Sequence, residues 1–359
     1  MKITDCLFGY VYYKDKGLKG RGEDRKMAYF MTQERFNQYL RDWRQDYKIY
    51  APVVLAGKGS FTNTDSVRYK EITGVEEIAF ARKADYSAKE VVLPITQTLF
   101  YFTEDNWTEP QVSDKKILLF VRSCDIHAIR RLDDIYLRNG CEDPYYKVFR
   151  DKVRFALLEC PTGFANCFCV SMATNTTGEY DLFVRLDGQH VTVGIRNPEF
   201  LMAKEQEIET EPQFVQENNV QVAIPAELRL AEVAAAPLWQ EYSARCLGCG
   251  RCSFVCPTCS CFSMQDIFYK DNDKAGERRR VWASCMVDGY TDMAGGHGFR
   301  QGKGDRMRFR VMHKVGDYKR RFGYPMCVGC GRCDDICPEY ISFANCINRL
   351  AGQVKEEKA

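Results

Sequence analysis

Apolar residues near the start of the chain recur with the period of a helix, and several short apolar runs follow them. The residues on the helical face are Phe36, Leu40, Trp43 and Tyr47. Their spacing of three or four positions predicts an amphipathic helix. Residues 50–55, 117–121 and 155–158 are short apolar runs, which are typical of buried strands. This part of the chain therefore predicts a mixture of helix and strand.

Further along, the pattern predicts a hairpin and one more helix. Residues 182–185 and 190–194 are strand-like segments joined around Asp187-Gly188, a pair that favours a tight hairpin turn. Residues 125–137 are predicted to be a helix between two of the strands. We therefore expect residues 27–237 to form a mixed α/β domain and the whole chain to be of the α+β class.

A cysteine pattern appears twice in the last third of the chain. Residues 246–257 read CLGCGRCSFVCP and residues 327–338 read CVGCGRCDDICP, so eight positions are identical. Each copy has the spacing C-x2-C-x2-C-x3-C-P, in which three cysteines bind one [4Fe–4S] cluster and the fourth binds the other cluster. The spacing predicts a first cluster bound by Cys246, Cys249, Cys252 and Cys337. It predicts a second cluster bound by Cys327, Cys330, Cys333 and Cys256.

The residues between these cysteines suit iron–sulfur clusters better than zinc ions. The glycines of both copies allow the backbone to approach a cluster closely, with N–H groups directed at its sulfur atoms. Pro257 and Pro338 turn the chain away without leaving an unpaired N–H. Structural zinc sites are the alternative, because C-x2-C is also a zinc spacing. Zinc motifs supply cysteines in pairs, so we expect two iron–sulfur clusters.

A second group of cysteines lies in the N-terminal domain. Its members end predicted strands or lie in the next loop, and they are Cys124, Cys160, Cys167 and Cys169. Four thiols in this stretch can bind a third [4Fe–4S] cluster, and Asp125 or His127 can replace one thiolate. Buried core thiols are the alternative, because cysteine also packs as a small apolar residue. Packing around the clusters is all that we expect of Cys259, Cys261 and Cys285.

The long segment between the two motifs decides the expected fold of the C-terminal region. Residues 262–325 form an insertion that is longer than one compact unit per cluster requires. We therefore expect residues 238–359 to form a mainly helical dicluster ferredoxin domain. Residues 300–310, RQGKGDRMRFR, are a basic run in this insertion. The run docks an acidic partner, moderates the negative charge of the clusters or forms a solvated face, and the solvated face is our expectation.

Composition and charge narrow the class of protein. The 359 residues carry a formal net charge of +2, which does not favour nucleic acid or an anionic membrane as the main partner. The apolar runs are short and the start does not resemble a signal peptide, so we expect a cytoplasmic protein. The 18 cysteines then indicate metal ligands. Residues 1–26 are an extension, either a mis-assigned start of translation upstream of Met27 or a disordered tail.

Longer segments resemble one known family. They are YAPVVLAGKGSFTNTDSVRYKEI, RSCDIHAIRRLDDIYL, ECPTGFANCFCVSM, WASCMVDGYTDMAGGHGFRQ and the two CxGCGRC motifs. From about residue 29 to residue 350 the sequence resembles the iron–sulfur electron-transfer subunit of the bacterial anaerobic sulfite reductase. The resemblance implies an α-helical ferredoxin fold for the C-terminal domain. It also implies a cytoplasmic complex in which this chain passes electrons from a flavin subunit that oxidises NADH to a sirohaem subunit that reduces sulfite to sulfide.

Related chains are iron–sulfur β subunits of NAD(P)-linked sulfhydrogenases, which makes that function the alternative. An electron relay also follows from the chemistry, because a hydride carries two electrons, sulfite reduction takes six and clusters pass them singly. The sequence has no G-x-S-x-G, H-E-x-x-H or Walker A pattern for a substrate of its own. A standalone iron–sulfur oxidoreductase and a cluster-based redox sensor are the alternatives from other classes.

Overall fold

The computed structural model describes residues 27–60, 63–202, 205–225 and 228–356. The expected extension, residues 1–26, lies outside the described residues. The elements of the N-terminal region are β1 (Met27–Thr32), α1 (Gln33–Trp43), β2 (Tyr47–Leu55), β3 (Ser66–Glu71), α2 (Lys89–Val92), β4 (Thr96–Phe102), β5 (Trp107–Thr108), β6 (Lys116–Val121), α3 (Ser123–Tyr136), α4 (Pro144–Arg150), β7 (Val153–Leu158), β8 (Leu182–Asp187), β9 (His190–Ile195) and β10 (Gln206–Glu209).

The remaining elements belong to the region that contains the two motifs. They are α5 (Leu230–Ala235), α6 (Leu238–Arg245), α7 (Arg251–Phe254), β11 (Phe262–Tyr269), β12 (Asn272–Trp282), β13 (Asp292–Met293), β14 (His297–Gly298), α8 (Lys303–Val311), α9 (Tyr318–Phe322), α10 (Arg332–Asp335) and α11 (Phe343–Glu356). A π-helical segment, Met312–Asp317, links α8 to α9. Within the described residues, no helix is both long enough and apolar enough to cross a bilayer.

An eight-stranded sheet forms the centre of the N-terminal region. Its strand order is β10-β1-β9-β8-β7-β6-β2-β3. The neighbours β2, β6, β7 and β8 pair in parallel, and the other pairs are antiparallel. Apolar clusters cover both faces of the sheet, so β6 and β7 read as continuous apolar runs and not as alternating ones. The predicted mixed α/β fold of this region is confirmed.

The individual elements follow the sequence pattern closely. Helix α1 buries Phe36 and Leu40, and the Thr32 hydroxyl accepts a hydrogen bond from the Arg35 N–H at 3.3 Å to cap its start. β8 and β9 form the predicted antiparallel hairpin. Tyr47 extends the helical spacing in the sequence but begins β2, because the helix ends at Trp43 and a turn follows.

The parallel strands bring two cysteines to one edge of the sheet. Cys124 lies in the first turn of α3, three residues after the end of β6, and Cys160 lies two residues after the end of β7. The carboxyl ends of neighbouring parallel strands meet at the same edge, where α/β proteins place their binding sites. The edge of the sheet is therefore where the N-terminal region meets the cysteine motifs.

The C-terminal region contains more β-structure than we expected. β11 and β12 form a hairpin, and β12 pairs with β4 in a sheet of order β11-β12-β4-β5, which crosses the expected domain boundary after residue 237. The expectation of a mainly helical domain is therefore not confirmed, although short helices carry the motifs. Arg280 of β12 pairs with Asp143 at 2.6 Å, and Glu277 accepts a hydrogen bond from Thr98 at 2.6 Å. These partners allow the charged side chains of Glu277 and Arg280 to be buried within the strand.

Candidate iron–sulfur centres

The two motifs adopt the same local backbone. Gly248 and Gly329 have φ angles of 71° and 65°, in the left-handed region that glycine tolerates best. Their N–H groups donate to the sulfur atoms of Cys246 at 3.3 Å and Cys327 at 3.5 Å. Backbone N–H groups directed at sulfur stabilise the negative charge of a metal-bound thiolate. The chain thus folds around its cysteines in the way that a cluster requires.

The first predicted ligand set surrounds one cavity. Its four cysteines, Cys246, Cys249, Cys252 and Cys337, all line this cavity. Met286, Arg310 and Phe343 form other parts of the wall. Cys337 comes from the second motif. Its sulfur accepts a hydrogen bond at 3.3 Å from the N–H of Ile341, which follows that motif. Cys249 is exposed, so the cavity reaches the protein surface.

The second predicted ligand set is more deeply placed. The pKa of Cys327 is raised to about 12, chiefly by burial and also by the nearby Cys256 and Cys330 thiols. Burial likewise raises the pKa of Cys333, and both Cys256 and Cys327 lie close enough to add to the effect. Cys256 of the first motif therefore lies among the cysteines of the second motif, as crosswise ligation requires. That these four residues bind a cluster stays a prediction.

The second motif packs tightly on the N-terminal region. Arg332 forms a bidentate ion pair with Asp125, with distances of 2.7 and 2.9 Å, and both side chains are fully buried. The Arg332 Nε also donates to the Ala84 carbonyl at 2.8 Å. The Phe168 N–H donates to the Gly329 carbonyl at 2.8 Å. These contacts hold the second motif, residues 327–338, against the edge of the main sheet.

The third predicted group is brought together only in part. The pKa of Cys169 is raised to about 12, chiefly by burial and also by the nearby Cys167 and Cys160 thiols. Cys124 packs instead beside Cys330 of the second motif. The group therefore consists of three neighbouring thiols, with the fourth nearer the second ligand set, and cluster binding there stays a prediction.

The two substitutes proposed for a thiolate in this group have other partners. Asp125 is held by Arg332. His127 Nε2 lies 2.8 Å from the Thr176 carbonyl oxygen. Lys83 is a charged residue that approaches the group, with its Nζ 3.8 Å from the Cys167 sulfur and 2.9 Å from the Cys330 carbonyl.

The basic run differs from the expected solvated face. Arg306 and Arg310 are buried, and Arg310 donates to the Cys252 carbonyl at 3.0 Å. Arg306 pairs with Asp288 at 2.9 Å. The expectation failed because residues 303–311 form helix α8, which turns part of the run towards the cysteines. The spacing of four between Arg306 and Arg310 is the signal that indicates this face.

In the described part of the chain, no three His, Cys, Asp or Glu side chains are grouped to bind a single metal ion. This holds for the eight motif cysteines as well. A four-iron cluster binds each of its cysteines through a different iron, so it does not need thiols gathered around one point.

Comparison with known proteins gives the class first. Residues 245–341 match the family described as 4Fe–4S dicluster domain. This region is therefore similar to domains that hold two [4Fe–4S] clusters, which supports iron–sulfur clusters in the C-terminal region. Over 342 residues it is 29% identical to sulfhydrogenase 2 subunit beta of Pyrococcus furiosus, a similarity that covers 88% of this chain and 96% of that protein. No solved structure matches the chain.

Proposed function

We propose that this chain is the iron–sulfur electron-transfer subunit of a hydrogenase complex of the sulfhydrogenase type. The observation that carries the proposal is the arrangement of the eight motif cysteines in two adjoining groups. One group reaches the surface at Cys249, and the other is buried against the N-terminal region at Cys330. Two adjoining clusters of this kind form a conduit for single electrons from the surface to the interior.

The terminal reaction is the finer part of the proposal. The name of the Pyrococcus relative supports hydrogen as the electron donor or acceptor. The resemblance of the longer segments to the iron–sulfur subunit of anaerobic sulfite reductase supports a second candidate, in which a sirohaem subunit reduces sulfite instead. In both complexes we expect a flavin subunit that exchanges hydride with a nicotinamide cofactor, and in both we expect a cytoplasmic location. The role of this chain is the same in either complex.

The chain's own residues supply what such clusters need. When bound, the clusters contribute one-electron redox chemistry. The N–H groups of Gly248, Gly329 and Ile341 donate to cysteine sulfur atoms and so stabilise thiolate charge. Arg310 and Lys314 are buried among the motif cysteines and offset negative charge there. The burial of the second ligand set keeps water away from its cysteines.

The N-terminal cysteines extend the proposal to a third cluster. Cys160, Cys167 and Cys169 supply three thiols, and Cys124, which lies near both Cys330 and Cys169, is the proposed fourth ligand. Lys83 supports this site, because its Nζ lies between the Cys167 sulfur and the carbonyl of Cys330 and pairs with Asp335 at 2.5 Å. A cluster in this position would lie beside the second ligand set.

The proposed function is tested on the complex that the tagged chain forms in its native host under anaerobic conditions. We expect flavin-containing and hydrogen-activating subunits to copurify, hydrogen to reduce the clusters and NAD(P)⁺ to reoxidise them. Sulfite-dependent oxidation of a reduced viologen, without hydrogen uptake, would instead establish the sulfite reductase candidate. Turnover by the isolated chain with an artificial donor would contradict both, as would binding to nucleic acid that changes with oxidation.

A further inference from the structure

The helical segment that precedes the second motif carries two buried cations. Arg310 and Lys314 are 3% and 2% exposed. Arg310 lies near the end of α8, and Lys314 lies in the π-helical segment Met312–Asp317 that continues it. Short π-helical segments within helices are frequent at functional sites. A spacing of four residues places two side chains on the same side of a helix, so the two charges follow each other along one side.

The first of these cations, Arg310, belongs to the first ligand set. It lines the same cavity as Cys246, Cys249, Cys252 and Cys337. Its Nη2 donates to the carbonyl of Cys252 at 3.0 Å. Its Nε is buried and has no hydrogen-bond partner among the residues that the structure describes. The guanidinium therefore lies at the cavity of the first set with one N–H group that still needs an acceptor.

The charge of Arg310 is also left without a counter-ion. Three other arginines have a buried Nε without a partner, but each of them forms an ion pair with a carboxylate: Arg279, Arg280 and Arg306. Within the described part of the chain, Arg310 has no such pair. Asp334 lines the same cavity, but its carboxylate accepts from the Ser342 hydroxyl at 2.7 Å and the Phe343 N–H at 2.8 Å. Arg310 therefore differs from the other three in lacking an anion.

The second cation, Lys314, is connected to the second ligand set. Its Nζ donates to the Thr258 hydroxyl at 2.7 Å, and that hydroxyl lies 3.5 Å from the Cys256 sulfur. Because the Thr258 oxygen accepts from the lysine, its one hydrogen is left to donate to the sulfur. The Lys314 carbonyl also accepts from the Cys327 N–H at 3.4 Å. Lys314 is thus linked to two cysteines of the second set, and no described carboxylate forms an ion pair with it.

A buried cation without a counter-ion is costly, so both side chains indicate anions beside them. Clusters bound by thiolates are such anions. We propose that each motif cluster has its own cation: Arg310 offsets the charge of the first cluster from the cavity wall, and Lys314 acts on the second through Thr258 and Cys256. The inference rests on the proposed function, because it requires both motif clusters. Since nearby positive charge favours the reduced state, each cation should raise the potential of its own cluster.

The test is a redox titration, followed by electron paramagnetic resonance (EPR), of full-length variants purified anaerobically. The signals that change in Cys249→Ala and in Cys333→Ala identify the first and the second cluster. Arg310→Met should shift the first signal to a more negative midpoint potential, because the reduced cluster loses its cation. Lys314→Met should shift the second signal in the same direction. Equal shifts of both signals in each variant, or no shift in either variant, would overturn the proposal.

A milder variant keeps the proposal testable if the loss of a cation prevents folding. Thr258→Val retains both cations and every thiol, and it removes only the hydroxyl between Lys314 and Cys256. It should shift the second signal alone, to a more negative potential and by less than Lys314→Met does. Unchanged potentials, or a shift of the first signal, would overturn the route through Thr258.

A matched control separates this effect from the general loss of a buried charge. Arg306 is buried one turn earlier in α8, but it pairs with Asp288 at 2.9 Å and does not line the cavity. Arg306→Met should therefore leave both potentials unchanged, and a shift as large as that of Arg310→Met would contradict the proposal. About four irons or fewer in the unaltered protein would instead reject the proposed function, so the two failures are distinguishable.

Discussion

The two cysteine motifs share eight residues but lie in opposite surroundings. In the first motif Cys249 is exposed and Leu247 is 58% exposed. At the matching positions of the second motif, Cys330 is buried and Val328 is 2% exposed. The same pattern therefore builds one cysteine group at the surface and one in the interior. The motif determines which residues can bind a cluster, and the surrounding chain determines how far the cluster is exposed to solvent.

The difference in burial between the two motifs is seen at the arginine that both motifs contain. Arg251 of the first motif is exposed, whereas Arg332 of the second is buried against Asp125. The glycines show the same contrast. A Cβ added to Gly248 would lie 3.6 Å from the nearest carbonyl oxygen, whereas one added to Gly329 would lie 2.5 Å from the Phe168 oxygen. Solvent exposure and hydrogen bonding tune cluster potentials, so the two clusters should differ in potential and in access.

The largest expected effect comes from breaking the ion pair that seats the second motif. Asp125→Ala leaves the Arg332 charge buried without its partner, which should cost about 3–5 kcal/mol of stability. Anaerobic denaturant unfolding, followed by circular dichroism and cluster absorbance, measures the loss. The paired variant Asp125→Leu with Arg332→Met should recover much of it. Equal stability of Asp125→Ala and the unaltered protein would mean that the second motif is not anchored in this way.

Substituting the matching glycines sharpens the comparison. Gly248→Ala places a side chain in a left-handed conformation with room around it, so we expect a cost of about 1–2 kcal/mol. Gly329→Ala has the same strain and also drives its Cβ into the Phe168 carbonyl, so its cost should be larger. The difference between the two unfolding free energies is the quantity to compare. If the two variants were equally stable, the close packing of the second motif would be contradicted.

The two clusters should differ in the rate at which a chelator removes their iron. A hydrophilic iron chelator, applied after mild oxidation, should remove about four irons quickly from the exposed set and the remaining irons several-fold more slowly. In Cys249→Ala, which loses a ligand of the exposed set, only the slow phase should remain. A single phase for all the iron in the unaltered protein would show that the two groups are equally accessible.

The smallest expected effect is at the exposed arginine of the first motif. Arg251→Ala should change the unfolding free energy by less than about 0.5 kcal/mol, because an exposed side chain without a buried partner contributes little. The same denaturation experiment provides the value. A cost approaching that of Asp125→Ala would show that the first motif also depends on its arginine for anchoring, and the contrast between the motifs would disappear.

Local sequence patterns were sufficient to predict many of the helices and strands of this molecule. Short-range patterns predicted α1, the buried strands β6 and β7 and the hairpin of β8 and β9, because burial in these elements follows spacing along the chain. The cysteine spacing also predicts two ligand sets, and the four cysteines of the first set line one cavity. The motif residues carry this information themselves, since a cluster-binding loop is a local structure.

Long-range pairing was not predictable from the same patterns. β12 is rich in charge, and its burial depends on Asp143 and Thr98, which lie far away in the sequence. For the same reason the approach of the segments that carry Cys261 and Cys285 was not predicted, because the β11–β12 hairpin brings them side by side. The unequal burial of two nearly identical motifs likewise depends on Asp125, which is distant in the sequence. Such contacts are consequences of tertiary structure.

The most direct test of the account is the EPR spectrum of the fully reduced, anaerobically purified protein, quantified together with its iron. The account predicts at least about eight irons per chain, about four for each motif cluster, and a spectrum broadened by magnetic interaction between neighbouring clusters. Cys249→Ala should lose about four irons and simplify that spectrum. About four irons in the unaltered protein, with a single spectrum free of such interaction, would contradict the two adjoining clusters on which the proposed electron relay depends.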